Sequence, residues 1–125
     1  MARVFSMKES EELSKADFDR LKLLPLFKGR IITGSMHPVI KVGDYIIVEV
    51  RNLNLKRFDI IVFYSEGKII CHYLWAMNKV FKPVLYQTRS LFGSRDHPID
   101  ESAYLGKVIS HRLSWWRKTR ILLNF

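Results

Sequence analysis

Ser35 sits in the turn Gly34-Ser35-Met36-His37-Pro38, just ahead of Gly43-Asp44 and the apolar run Tyr45-Ile46-Ile47-Val48. A serine between a flexible glycine and a proline-stiffened turn is held away from regular hydrogen bonding, with its hydroxyl presented to a cleft. A nucleophile needs that placement. At neutral pH a serine hydroxyl attacks a carbonyl only when a base takes its proton, and an imidazole, titrating near pH ~6.5 when unperturbed, can do so within hydrogen-bond reach. Attack on a peptide bond then requires donors for the oxyanion, and a carboxylate that orients the imidazole completes a triad. Without such partners Ser35 is a loop cap.

The elements that would have to bring these groups together can be read from the pattern of the chain. Its 125 residues suit one domain, here expected to span 1–125, with 48% hydrophobic and 26% charged residues, as in globular proteins. Between Glu9 and Leu24 the apolar residues Leu13, Ala16, Phe18, Leu21 and Leu24 recur at three- and four-residue steps. That spacing predicts a short amphipathic helix, with Ser14 as an internal N-cap and Pro25 as its stop, so that residues 1–25 form a helical lead-in. Beyond Lys28 the period changes. "GRIITG", "DYIIVEV", "FDIIVFY", "GKIICHYLW", "PVLYQT" and "LGKVISHRL" are rich in β-branched and aromatic residues and read as strands. Ile60–Phe63 and Ile69–Cys71 are apolar on both alternating sets, which predicts strands covered on both faces, as in a rolled sheet. The fold expected is mainly β, a small rolled sheet or barrel with a short N-terminal helix.

The stretch "RSLFGSRDHPIDESAY" lacks a strand pattern and is expected to form a long loop. Gly43 and Asp44 should shape the corner returning the chain to the sheet. Cys71, the single cysteine, has no internal disulfide partner, and with scattered histidines it makes no metal site. It is expected to be a buried, inert thiol. No cofactor is implied.

Taken in order, "GSMHPVIKVGDYIIVEV", "RFDIIVFYSEGKIICHYL" and "DHPIDESAYLGKVISHR" resemble the serine box, the strand that follows, the base-bearing strand, and the closing loop and strand of the signal peptidase I family. The resemblance covers roughly residues 26–113. It implies a fold of the LexA and signal peptidase type over this β core. The residue aligned with the base is His72, which places the chain with the histidine branch of the family, the endoplasmic-reticulum type. Arg89 and Ser90 stand where the family has Gly-Asp, and Tyr73 where an arginine often follows the histidine.

The resemblance implies a serine endopeptidase that cleaves an extended peptide after a small residue, with Ser35 as nucleophile and His72 as base. Asp96, with Asp100 as its substitute, would complete the triad. The Ser35 backbone N–H and the Thr33 hydroxyl would form the oxyanion hole, and Met36 and Pro38 would contact substrate. The strand leading to Ser35 is the natural edge for a peptide to join. His37 and His97 fit no role in the family and read as exposed loop histidines.

A formal net charge of +9 attracts anions such as nucleic acid or acidic lipid. No apolar run reaches the ~18 residues of a spanning helix, and the opening residues do not form a secretory leader, so the chain is expected to be cytoplasmic. Residues 114–125, "SWWRKTRILLNF", combine Trp115, Trp116, Arg117 and Lys118 with an apolar end. They read either as a segment packed on the barrel or as a peripheral contact with acidic lipid. Two other functions fit the same residues: a signal-peptidase-like module that binds peptides without cleaving them, and a LexA-like regulator that binds nucleic acid. The second is disfavoured, since no helix-turn-helix pattern precedes the β region.

Overall fold

After Pro25 the β-branched and aromatic residues favour extended backbone, and they assemble into one sheet. The computed structural model describes residues 4–8, 12–80 and 82–123. Its elements are β1 (Val4–Lys8), α1 (Lys15–Leu21), β2 (Leu26–Arg30), β3 (Tyr45–Val50), β4 (Ile60–Ser65), β5 (Lys68–Asn78), β6 (Leu85–Arg89), β7 (Tyr104–Val108) and α2 (Trp115–Leu123). The seven strands lie in the order β1-β2-β3-β7-β4-β5-β6, antiparallel except for the β1–β2 pair. The fold is mainly β, as expected.

The lead-in differs from the helix expected over residues 1–25. Its first described piece is strand β1, paired in parallel with β2, and residues 9–11 lie outside the described residues. Five residues whose pairing partner is more than 20 positions away carry little local signal. The helix is confined to Lys15–Leu21, where Ser14 is the N-cap and its hydroxyl accepts from Asp17 N at 3.1 Å. Leu23 and Leu24 N–H groups then bond three residues back, to Arg20 and Leu21, so a tight turn carries Leu24 onto the core before Pro25.

The β4–β5 hairpin turns on Glu66 and Gly67, with φ of 51° and 76°. Two consecutive left-handed residues suit a two-residue turn whose twist matches the strands, and Gly67 takes its φ without penalty. The turn sets the register that pairs Ile61 with His72. Strand β5 has 11 residues; its first half pairs with β4 and its second with β6 across a bulge. On the free side of its first residues Glu12 bridges Lys68, and Leu13 N donates to Gly67 O at 2.7 Å. The segment just ahead of α1 is thus tied to the hairpin.

The main core collects Phe18, Phe27, Ile46, Val48, Leu105 and their neighbours from α1 and strands β2, β3 and β7, with Ile60, Val62, Ile69, Cys71 and Tyr73 from the hairpin. Each fully buried side chain of this size contributes roughly 1.5–3 kcal/mol relative to exposure. The alternate residues Ile61, Phe63 and Leu74 pack on the other face with Tyr86, Ile99 and Tyr104. The central strands are therefore covered on both faces, as their double apolar pattern predicts. Cys71 is buried and in no disulfide, on the face opposite His72. Among the described residues no helix is long and apolar enough to cross a membrane.

Candidate active site

Strand alternation turns His72 away from Cys71 and Tyr73, toward the second cluster, where its ring meets Phe63 edge-on with centroids 6.1 Å apart. Its Nδ1 lies 2.6 Å from Asp96 Oδ2. The same carboxylate oxygen accepts from Thr88 Oγ1 at 2.7 Å. Thr88, on β6, pairs with Leu74, which shares the His72 face of β5. The histidine, threonine and aspartate thus form one partly buried cluster.

The loop between β6 and β7 places Asp96, and it is more ordered than its composition suggests. It runs back along β6 in antiparallel fashion: Tyr86 and Ile99 exchange backbone hydrogen bonds at 2.7 and 3.0 Å, and Asp96 N donates to Thr88 O at 3.1 Å. Burial pushes the Asp96 carboxyl up, but hydrogen bonds from His72 and Thr88 and the nearby charges of His72 and His97 outweigh it, so its pKa falls below the ordinary carboxylate value. The group stays ionised. An anionic oxygen on Nδ1 favours the tautomer that leaves Nε2 able to accept a proton, and stabilises the imidazolium once it has done so.

Asp100, named above as the substitute acid, has a different task. Its Oδ1 accepts from both the backbone N–H and the hydroxyl of Ser102, and these bonds, Ser102's hydroxyl first, lower its pKa. It shapes the corner before β7. Ser90 is buried and closes a turn: its N–H donates to Ser94 O, and its Oγ accepts from Ser94 N. Arg89 stacks its guanidinium over Trp75 at 4.1 Å.

Ser35 stands on a turn pinned from beneath. His37 N donates to Gly34 O and Ile40 N to Met36 O, while Met36 and Ile40 are buried in the main core. Met36 is therefore an anchor of the turn rather than a substrate contact, whereas Pro38 is exposed. Gly43, with φ of 95°, and Asp44, whose carboxylate accepts from Lys41 N at 2.9 Å, form the corner into β3. The Ser35 carbonyl accepts from Leu91 N at 2.9 Å. Extending the β5–β6 register by one residue past Tyr73–Arg89 sets Ser90 opposite His72, so the chain reaches the serine turn one residue beyond that point.

The Ser35 Oγ lies 3.4 Å from Thr33 Oγ1. Among the described residues, no hydrogen bond joins it to His72, and none uses the Ser35 backbone N–H. An uncommitted N–H at Ser35, with a hydroxyl two residues earlier, has the chemistry of a donor set for an oxyanion. His37 and His97 are exposed in loops. Among the described residues no three histidine, cysteine or carboxylate side chains converge to hold a metal ion.

The approach to Ser35 corrects one expectation. Strand β2 ends at Arg30 and is flanked by β1 and β3, so it is no sheet edge. Ile31 continues the pairing, donating to Asp44 O and accepting from Gly43 N, both at 2.8 Å. Alternation turns the next residue's N–H and C=O the other way, and among the described residues Ile32 makes no backbone hydrogen bond. Among the described residues the unpaired backbone on this approach is that of Ile32, while the Gly34 carbonyl accepts from His37 N.

No family model matches the chain, and no curated protein matches it. The site stands on its own residues.

Proposed function

We propose that this chain is a serine endopeptidase of the signal peptidase type, with Ser35 as nucleophile, His72 as general base and Asp96 as the carboxylate that orients it. The observation that carries this reading is the 2.6 Å contact of Asp96 with His72 Nδ1, since it supplies an acid where the family's usual position holds Ser90. In the reaction His72 takes the Ser35 proton through Nε2 as Oγ attacks the scissile carbonyl. The Ser35 N–H and Thr33 hydroxyl receive the oxyanion, and the imidazolium returns the proton to the departing amine. Water then repeats the cycle on the acyl-enzyme.

An extended peptide pairing with the backbone of Ile32 would present its carbonyl to Ser35, with main-chain hydrogen bonds fixing the register. A cytoplasmic setting, as expected from the sequence, belongs to this proposal. The test is to treat the chain with a peptide inhibitor that captures activated serines and then map the modified residue by mass. Adduct at Ser35, absent in His72→Ala, supports the mechanism. Peptide binding with no adduct and no hydrolysis would instead identify a binding module.

A further inference from the structure

Ser114 precedes helix α2 and its Oγ accepts from Arg117 N at 3.2 Å, and the helix contains no acidic residue. At 3.6 residues per turn, Trp115, Trp116, Thr119, Leu122 and Leu123 fall within an arc of about 120°, with Arg120 on one flank and Lys118 on the other. In most surface helices such an apolar arc faces the core. Here it faces outward: Trp115 is 68% exposed, Trp116 71%, Leu122 49% and Leu123 76%. The opposite side does the packing, with Ile121 against the core and Lys118 over the Phe58 ring at 6.0 Å.

Two cavities flank the helix, and both are cationic. One, of about 410 Å³, is lined by Arg89, Arg95, Leu91, Phe92 and Ile121. The other, of about 300 Å³, has Lys56, Lys107, Arg112 and Lys118 against the single carboxylate of Asp59. Phe92, 74% exposed, adds a further apolar side chain at the rim of the first cavity.

We infer that α2 and Phe92 form a docking surface for an anionic lipid bilayer, with the tryptophans and leucines entering the headgroup boundary and the surrounding lysines and arginines meeting lipid phosphates. Tryptophan is favoured at that depth, and each basic side chain near an anionic surface adds attraction that salt weakens. A second copy of the chain fits less well, because joining two such faces would set cation against cation with no carboxylate from either helix. The surface also lies close to the proposed site: Leu91, in the cavity that Ile121 lines, donates its N–H to the Ser35 carbonyl. If the peptidase reading holds, docking brings the serine turn to the bilayer.

The experiment is co-sedimentation of the chain with phosphatidylcholine vesicles, with and without phosphatidylglycerol, at low and high salt, together with thermal melting. Binding should require phosphatidylglycerol and weaken as salt rises. Replacing Trp115 and Trp116 together by Ala should reduce it on the order of tenfold or more while leaving Tm unchanged, since neither ring is buried. Lys118→Glu with Arg120→Glu should abolish the preference for anionic vesicles. Ser35→Ala should bind as the parent chain does, so that docking is read separately from hydrolysis. Absent or lipid-indifferent binding would overturn the inference. So would a double tryptophan variant that melts early yet binds unchanged, or a concentration-dependent dimer that the same substitutions dissolve.

Discussion

His72 and Asp96, 24 positions apart in the chain, meet at 2.6 Å because the loop after β6 folds back along that strand and hydrogen-bonds to Thr88. The pair gives the imidazole a fixed orientation and an ionised partner. Asp96→Asn keeps the size of the side chain but removes the charge and allows the wrong tautomer. Peptide hydrolysis should fall by on the order of 10³–10⁴ in kcat with the fold retained. Unchanged turnover would remove Asp96 from the mechanism.

Ser35→Ala should abolish hydrolysis of a peptide carrying a small residue before the cut. The stability change should stay within about 0.5 kcal/mol, because the hydroxyl is partly exposed and its contact among the described residues is a long 3.4 Å approach to Thr33. Denaturant unfolding and a peptide cleavage assay on the same preparation check both halves. Activity that survives would mean that another residue is the nucleophile.

The carboxyl of Asp96 has a lowered pKa in the folded chain. Its contribution to stability is therefore fully present above the unfolded carboxyl value of about 3.9 and is lost as pH falls through the lower folded value. Unfolding curves of the parent chain and Asp96→Asn should differ at pH 7 and converge in acid. Thr88→Val deletes one of the hydrogen bonds holding the carboxylate, so Asp96 should titrate at higher pH in that variant, readable by carboxyl NMR. A parent–variant difference that stays constant down to pH 2 would contradict the assignment.

Gly106 in β7 has no room for a methyl group: a Cβ there would lie 2.4 Å from the Glu49 carbonyl oxygen and 2.8 Å from a Val48 methyl. The obstacle is the backbone of β3, which cannot rotate away. Gly106→Ala should cost about 1–3 kcal/mol, measured by urea unfolding. A neutral effect would show that the β3–β7 pairing is looser than described.

Much of the architecture is legible in local pattern. Ser14 caps its helix because a side-chain oxygen reaches an N–H three residues on, and that is settled within one turn. The double apolar pattern of Ile60–Phe63 and Ile69–Cys71 predicts two covered faces, since alternation leaves neither set for water. The turn around Ser35 is equally local, with a permissive glycine before it and a proline after it that fixes the backbone.

Other features depend on residues far apart in the chain. Strand β1 exists by pairing with β2, and that partner lifts β2 off the edge that its own sequence suggests. Met36 reads as a groove residue in a turn, yet the core beneath claims it. Between Asp96 and Asp100, four positions apart beside the same proline, composition gives no choice. The register of the returning loop on β6 makes it, bringing one carboxylate to His72 and leaving the other to Ser102, because hydrogen-bond partners are selected by position in space and residue type only limits the candidates.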